Sequence, residues 1–358
     1  YTAMKRMIAF FLMAGCVCAA GVGKVQTVEK MPQHEVAVQS VPVDAAAKPR
    51  NVILMIGDGM SSEHVWAAWV CNGGKLNLEQ MPVTGFSRTF SANRLVTDSA
   101  AGGTALACGH KTNNGMLGQT ADGRVLSSLA SRLYAAPYHK AVGLVVTKAI
   151  TDATPAAFYA HTASRHNTAE IAKQLCAAPF SVIVGGGSGA FSSAQMQALR
   201  KNDQAYVELA AKEHCPYAPE RGDFLARQTE RALAELEKSP RGFFLMIEGS
   251  EIDTASHAAD ARLAVAETLD FDRALGVVLR WMQSHPDTLL VVTADHQTGG
   301  IAIHGGSVQE RKVKVSFATT EHTGVAVPVY AAGCGAQMFT GVMDNTQIPQ
   351  KIFQIVAE

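Results

Sequence analysis

The sequence predicts an α/β protein, a three-layer α/β/α sandwich built on a large, mostly parallel central sheet. Short apolar runs alternate along the chain with segments of helical periodicity, which is the pattern of a parallel sheet with helices on both faces. The 358 residues, 47% of them hydrophobic, are enough for one large domain or two ordinary ones. Ligands of such sheets bind at the carboxyl ends of strands, so the residues that follow the apolar runs indicate the site.

Five apolar runs have the length and composition of buried strands. They cover residues 51–56, 141–146, 181–184, 243–247 and 289–293, and a weaker candidate covers residues 328–331. Apolar residues three and four positions apart predict two helices between these strands. One stripe consists of Leu225, Ala232, Leu233 and Leu236, and the other of Leu275, Val278, Leu279 and Met282.

Residues 1–20 are predicted to be an export signal. Lys5 and Arg6 precede an apolar segment, residues 7–14, that is too short to span a bilayer stably. Residues 13–16 are typical of a bacterial lipoprotein processing site with Cys16 as the lipidated residue, and simple cleavage near Ala20 is the alternative. We expect an exported protein, either periplasmic or anchored as a lipoprotein, with residues 21–49 forming a linker outside the fold.

Charge and cysteine content exclude some classes of protein. The chain has 31 Lys and Arg residues and 31 Asp and Glu residues. It therefore lacks the basic excess that would indicate specific binding to nucleic acid. Five cysteines follow the signal: Cys71, Cys108, Cys176, Cys215 and Cys334. Their spacing matches no zinc cluster, and an exported chain could pair some of them into one or two disulfides.

Ser99 follows Asp98 at a predicted strand-to-helix junction, and only small residues come directly after it. The N-terminus of a helix presents free N–H groups and a partial positive charge, which favours an anion beside the serine. The alternative is an Asp98 that only caps a tightly packed helix.

Polar groups able to bind metal or phosphate follow nearly every predicted strand. These are Asp58, Asp152 and Thr154, then Glu248, Asp253 and His257, and then Asp295 and His296, while His322 precedes the last predicted strand. Buried carboxylates and imidazoles are costly unless they are paired or coordinated, so this pattern predicts a polynuclear metal site. Mixed His and Asp ligands suit zinc, whereas oxygen ligands alone suit magnesium.

These motifs, in this order, resemble those of the bacterial alkaline phosphatase family. The matching segments are residues 51–60, 97–101, 152–157, 243–249, 252–253, 257–259 and 292–296. The resemblance implies metal-dependent hydrolysis of phosphate monoesters through a phosphoserine intermediate. It also implies a catalytic domain over residues 50–358, which holds two Zn²⁺ and one Mg²⁺ per chain.

The resemblance implies a role for each matching residue. Ser99 would be the nucleophile, Arg165 would clamp two phosphate oxygens, and Asp98 would orient Arg165. The first zinc would be held by Asp253, His257 and His322, and the second by Asp58, Asp295 and His296. Magnesium would be held by Asp58, Thr154 and Glu248, with Asp152 behind them. Among the histidines, His322 has His110, His161, His166 and His304 as competitors for its role.

Two further features qualify the resemblance. Thr254 stands where relatives often carry lysine or histidine, and its lack of charge predicts weaker binding of product phosphate. A homodimer is a further implication, although the short segment between His296 and His322 leaves little room for the interface insertion of some relatives.

Two alternative functions stay open. The chain could be a phosphodiesterase or another hydrolase of the same superfamily, or a non-catalytic exported protein that binds metal or phosphate. The presence of Ser99 with Asp98 and Arg165 counts against the second alternative. Every residue matched to a substrate contact touches phosphate, so the sequence does not identify the leaving group.

Overall fold

The computed structural model describes residues 21–37, 43–44, 47–200 and 204–357. Fifteen strands lie within them: β1 (Gln26–Glu29), β2 (Val43–Asp44), β3 (Asn51–Gly57), β4 (Val83–Arg88), β5 (Ala141–Ala149), β6 (Val182–Gly186), β7 (Tyr206–Leu209), β8 (Phe243–Gly249), β9 (Thr288–Thr293), β10 (Gln297–Thr298), β11 (Ile301–Ser307), β12 (Lys312–Phe317), β13 (His322–Thr323), β14 (Val327–Cys334) and β15 (Gly341–Asp344).

Eleven α-helices lie within the same residues: α1 (Ser62–Cys71), α2 (Ser99–Cys108), α3 (Leu129–Tyr134), α4 (Ala153–Ala156), α5 (Thr168–Ala177), α6 (Ser193–Arg200), α7 (Ala218–Arg221), α8 (Phe224–Leu236), α9 (Glu251–His257), α10 (Ala261–Met282) and α11 (Gln347–Ala357). No helix of the described part of the chain combines the length and apolar character that crossing a membrane requires.

A ten-stranded sheet organises the fold, in the order β15-β4-β14-β9-β3-β8-β5-β6-β7, with β2 paired to β14. The strands from β9 to β7 in this order are mutually parallel, and β14 is antiparallel to both β9 and β4. Every residue of β3, β8 and β9 is buried. The predicted large, mostly parallel sheet is therefore confirmed.

Two apolar cores, one on each face of this sheet, make the three layers. Successive side chains of a strand point to opposite faces. On β3, Ile53 and Met55 pack in one core with residues of α1, α8 and α10. Val52 and Leu54 pack in the other core with residues of α2, α3, α5 and α11. The two predicted helical stripes lie in α8 and α10, on the first of these faces.

The sequence interpretation missed strands that are only partly buried. In β4, buried and exposed residues alternate, so the strand lacks the continuous apolar run of a central strand. The same holds for β7 and for the hairpin of β11 and β12, which are short or partly exposed. A strand that is only partly buried carries fewer apolar residues and so leaves a weaker compositional signal.

The linker prediction is wrong for residues 21–37. In this segment β1 pairs antiparallel with β12, with Val28 opposite Val313. Val28 and Met31 are buried, and the Gln26 side chain donates a hydrogen bond of 2.6 Å to the Ala259 carbonyl. The composition did not reveal this strand because its partners lie more than 230 residues further along the chain. The predicted signal, residues 1–20, lies outside the described residues.

The five cysteines after the predicted signal are free in the structure. Four of them are buried, and burial raises the pKa of the Cys71 and Cys215 thiols to about 11. The disulfides that export would permit are therefore not formed among the described residues.

Truncation of Met31 tests whether the N-terminal segment belongs to the fold. Met31→Ala should lower the free energy of unfolding by about 2–3 kcal/mol, because it removes a buried side chain and leaves a cavity. Urea denaturation measures this change. Val25→Ala, at a position that is 55% exposed, is the control and should change stability little. Equal stability of all three proteins would mean that the segment does not pack on the domain.

Candidate active site

The candidate site lies where four adjacent parallel strands, β9, β3, β8 and β5, end at the same edge of the sheet. Asp58 directly follows β3, Glu248 is the penultimate residue of β8, and Asp295 comes two residues after β9. Thr154 lies on α4, shortly after β5. The parallel order of these strands thus brings together side chains that are separated by up to about 240 positions in sequence.

Helix α9 begins one residue beyond β8, after Ser250, and carries two further predicted ligands. Asp253 and His257 are four residues apart, so the helix places them on one face. The His257 Nε2 atom lies 3.2 Å from Asp253 Oδ1. The uncharged Thr254 lies between them on α9 and is half-buried.

Asp253, His257 and His322 form what we call the first donor group. His322 Nε2 lies 3.1 Å from His257 Nε2 and 3.4 Å from Asp253 Oδ1. Donor atoms of a tetrahedral zinc site, at the usual bond lengths, are about 3.3 Å apart. The spacing of this group therefore suits one zinc ion.

Backbone carbonyls orient both imidazoles of the first donor group. The Nδ1 atom of His322 is 2.9 Å from the Thr97 carbonyl, and Nδ1 of His257 pairs with the Thr320 carbonyl. With Nδ1 as the donor, Nε2 keeps a lone pair for a metal. The competing histidines lie elsewhere: His304 pairs with Ser316, His161 pairs with Gly118, and His110 and His166 are exposed.

Asp58, Asp295 and His296 form the second donor group. The His296 Nε2 atom lies 3.5 Å from Asp58 Oδ1, 3.2 Å from Asp295 Oδ2 and 3.2 Å from the Ser99 hydroxyl oxygen. Ser99 therefore lies against the same nitrogen as the two carboxylates. His296 also lies within reach of Asp253 and His322, so the first two donor groups are neighbours.

We call Asp58, Thr154 and Glu248, the residues predicted to hold magnesium, the third donor group, and all of their ligand atoms are oxygens. Both carboxylate oxygens of Glu248, the Thr154 hydroxyl and Asp58 Oδ1 are buried and make no hydrogen bond. Asp295 Oδ2, of the second group, is in the same state. Buried polar atoms without partners are costly, so these residues fit metal ions as their partners.

Helix α2 carries Ser99, and its small residues let it approach the donor groups. A Cβ atom on Gly102 would lie 3.1 Å from the Asp295 carbonyl oxygen, and one on Gly103 would lie 3.1 Å from Thr154 Cα. Every residue of α2 is buried. The Ala/Gly run after Ser99 thus has a structural cause, which is close contact between this helix and two of the donor groups.

Asp98 both caps α2 and binds Arg165, so its role as a helix cap and its implied role in orienting Arg165 are compatible. Its Oδ1 accepts from the Ala101 amide at 3.0 Å, while Oδ2 accepts from the Gly115 amide at 2.9 Å. Oδ2 also lies 3.3 Å from Arg165 Nη1. Ser99 does not lie at a direct strand-to-helix junction as predicted, because the loop of residues 89–97 separates β4 from α2.

Arg165 is held between two carboxylates. Its Nη2 atom lies 3.3 Å from Asp152 Oδ1, opposite the contact with Asp98. Burial alone would lower the pKa of Arg165, but Asp152 and Asp98 outweigh it and raise the pKa. The planar guanidinium is therefore charged and fixed in direction, which suits bidentate binding of phosphate oxygens.

The sequence interpretation did not include Lys148 or Thr298, and both contact predicted ligands. Lys148 Nζ lies 3.0 Å from Asp253 Oδ2 and 3.5 Å from Asp58 Oδ2. The Thr298 hydroxyl donates to Asp253 Oδ1 at 2.6 Å. The sequence does offer a signal for Lys148, which is a lysine near the end of the apolar strand β5. Thr298 has no such local sequence signal.

The electrostatics of the site are those of crowded buried carboxylates. Burial, reinforced by the charges of Asp253 and Asp295, raises the pKa of Asp58 well above its usual range. Burial likewise raises the pKa of Glu248, and it raises that of Asp295 to about 6. Burial opposes ionisation of Asp253 too, but Lys148, His257 and His322 outweigh it and hold that pKa well below its usual range.

Comparison with known proteins agrees with this geometry. The family model described as alkaline phosphatase matches residues 49–225, 219–313 and 307–357. Alkaline phosphatase 4 of Bacillus subtilis is 30% identical over 87% of this chain and 89% of its own length. The streptomycin-6-phosphate phosphatase of Streptomyces griseus is 31% identical over 84% of this chain and 89% of its own length.

A solved structure shares the fold. The alkaline phosphatase of the Antarctic bacterium TAB5 superposes with a TM-score of 0.82 at 32% identity, covering 87% of this chain and 98% of that one. A variant of that enzyme has been solved with Mg bound in a site called M3. The present chain belongs to the alkaline phosphatase family. It is a metal-binding hydrolase of phosphate monoesters.

Protons and metal ions compete for the same donor atoms, so metal affinity should depend on pH. As the pH falls through about 6, Asp295 takes up a proton. Burial also raises the pKa of Asp58 and Glu248, so protons compete with metal at these carboxylates too. We expect zinc affinity to fall by more than about tenfold between pH 8 and pH 5. A chelator competition titration at each pH measures this change.

Asp295→Asn is the control for this titration, because its amide does not ionise. The variant should bind zinc more weakly at pH 8 and lose less affinity on acidification. Zinc affinity that is equal at both pH values in the unsubstituted protein would contradict the expectation.

Proposed function

We propose that this chain cleaves phosphate monoesters by transferring the phosphoryl group first to the Ser99 oxygen and then to water. The observation that carries the proposal is the position of the Ser99 hydroxyl, 3.2 Å from His296 Nε2 at the start of α2. The carboxylates of Asp58 and Asp295 lie 3.5 Å and 3.2 Å from the same nitrogen. A serine held in this way is positioned to be activated as a nucleophile.

We propose that the three donor groups hold two Zn²⁺ and one Mg²⁺. Imidazole nitrogens in the first and second groups favour zinc, and the oxygen-only third group favours magnesium. The unpartnered oxygens of Glu248 and Thr154 support the magnesium site. Bound there, the cations would favour the serine alkoxide and neutralise charge on the phosphoryl group.

The proposed phosphoryl transfer takes place in two steps, both at the Ser99 oxygen. In the first step Ser99 Oγ gives up its proton and forms a bond to phosphorus, and the leaving oxygen departs with the electrons of the broken P–O bond and takes up a proton from solvent. In the second step a water oxygen loses a proton and forms a bond to phosphorus, the bond from phosphorus to Ser99 Oγ breaks, and Ser99 Oγ is protonated again as inorganic phosphate is released. Arg165 binds two phosphate oxygens throughout, while Asp98 and Asp152 keep its guanidinium aimed at the site.

The substrate is proposed to be a phosphate monoester with little selectivity for its leaving group. An open cavity of about 810 Å³ borders Asp98, Asp152 and Arg165, which leaves room beyond the phosphate itself. The matched contacts are all to phosphate. The third donor group and Arg165 favour a monoesterase over a phosphodiesterase, because both serve the extra charge of a monoester dianion.

Three further proposals rest on the sequence. We propose that the chain is exported, that Cys16 is lipidated, and that two copies associate as a homodimer. Leu95, in the loop of residues 89–97, and Val325, next to Gly324 beside it, are strongly exposed apolar residues, and a second copy would cover such a surface. Mass spectrometry of the mature N-terminus tests the first two proposals, and analytical ultracentrifugation tests the third.

Replacing the Ser99 hydroxyl should remove monoester cleavage. Ser99→Ala should lower kcat for a phenyl phosphate by at least about 10³-fold, because no nucleophilic oxygen remains. Zinc content by metal analysis should stay unchanged. Ser91→Ala is the control, since this buried hydroxyl lies in the preceding loop and, among the described residues, its hydrogen bonds stay within that loop.

The same assay separates the alternatives. A bis-phenyl diester should turn over at least about 10³-fold more slowly than the monoester if the third donor group and Arg165 select dianions. Preferential diester cleavage would favour the phosphodiesterase reading. Metal binding without turnover of either ester would favour the non-catalytic reading.

Arg165→Lys tests the phosphate clamp. The lysine keeps the positive charge but loses the two-pronged geometry, so the inhibition constant of inorganic phosphate should rise about tenfold or more. Arg227→Lys is the control, because Arg227 is exposed and pairs only with Asp223 in the described structure. An unchanged phosphate inhibition constant in Arg165→Lys would contradict the clamp.

A further inference from the structure

Lys148 is a buried cation inside the candidate metal centre, and the proposed bond changes make no use of it. It is the penultimate residue of β5, and its side chain is 9% exposed. Burying an ammonium group is costly unless the fold supplies compensating charge. Its place in an otherwise apolar strand therefore calls for a specific role.

The ammonium contacts the outer oxygens of two predicted metal ligands. Lys148 Nζ lies 3.0 Å from Asp253 Oδ2 and 3.5 Å from Asp58 Oδ2. Each carboxylate turns its other oxygen to the imidazoles. Asp253 Oδ1 lies within 3.4 Å of the histidines of the first donor group, and Asp58 Oδ1 lies 3.5 Å from His296.

The same ammonium is the local counter-charge of the donor groups. Asp58, Asp253, Asp295 and Glu248 are all buried. Among the described residues, Lys148 is the lysine or arginine that pairs with any of these four carboxylates within 4 Å, and the remaining pairs involve histidine. Without a cation, carboxylates this close repel one another strongly.

Lys148 also reaches the phosphate-binding side of the site. Its Nζ lies 3.9 Å from Asp152 Oδ2, and the other oxygen of Asp152 contacts Arg165. One ammonium thus joins ligands of the first and second donor groups to the carboxylate that holds the guanidinium. One atom thus contacts three carboxylates, which is what a positioning group requires.

We propose that Lys148 is a positioning residue, a built-in cation that holds Asp58 and Asp253 in place and keeps the metal-free protein folded until metals bind. The inference rests on the proposed metal sites. Bound dications would neutralise the same carboxylates, so the protein should depend on Lys148 more without metal than with it.

Thermal unfolding with and without metals tests this dependence. Unsubstituted protein, Lys148→Met and Lys148→Arg are each unfolded in chelator and in zinc plus magnesium. In chelator, Lys148→Met should lower Tm by about 5–10 °C, because it leaves buried carboxylates without their partner. In zinc plus magnesium the loss should be less than half as large. Lys148→Arg keeps the charge and should recover most of the loss in chelator.

Lys140→Met is the matched control. Lys140 is also a buried lysine, but its ammonium donates to the carbonyls of Arg50 and Arg241, away from the donor groups. Its loss of Tm should be the same in chelator and in metals. If Lys148→Met is not obtained folded in chelator but folds with metals, that result supports the proposal. If it folds in neither condition, Lys148→Gln takes its place.

An equal loss of Tm in chelator and in metals would overturn the proposal, because Lys148 would then be an ordinary structural ion pair. No loss in chelator would overturn it as well. Failure of the proposed function looks different. In that case the unsubstituted protein itself would bind no zinc, and its Tm would not rise with metals.

Discussion

The crowding of buried carboxylates at one edge of a parallel sheet is the constraint on which the rest of this structure depends. Asp58, Glu248 and Asp295 end three neighbouring strands, and Asp253 joins them from α9. The parallel order of the strands makes this convergence unavoidable, and burial makes the mutual repulsion severe. Cations are what make such a centre stable, and the same cations are what phosphoryl transfer requires.

The elements around this centre follow from it. Helix α2 approaches closely enough to present Ser99 because Gly102 and Gly103 have no side chains. Asp98 caps the N-terminus of that helix and holds Arg165, so the nucleophile and the phosphate clamp share one fixed support. Backbone carbonyls fix His257 and His322 through their Nδ1 atoms, which leaves both Nε2 atoms close to Asp253 Oδ1. The backbone therefore supplies much of the precision of the site.

How much the sequence revealed depended on how much of each element is buried. Strand β3 is buried along its whole length and was predicted within a residue or two, whereas β4 alternates and was missed. Residues 21–37 resemble a linker in composition, yet Val28 is buried against β12. Lys148 was missed because its importance lies in contacts with Asp58 and Asp253, about 90 and 105 positions away.

The sequence by itself determined the fold class and the chemical types of the ligands. Apolar periodicity is a local property, and the order of the motifs along the chain is distinctive. Only the tertiary structure decided which atoms meet. It placed His322 rather than His304 beside Asp253, and it brought the Lys148 ammonium among the carboxylates. Such contacts depend on strand order and on the path of distant loops, which no local pattern encodes.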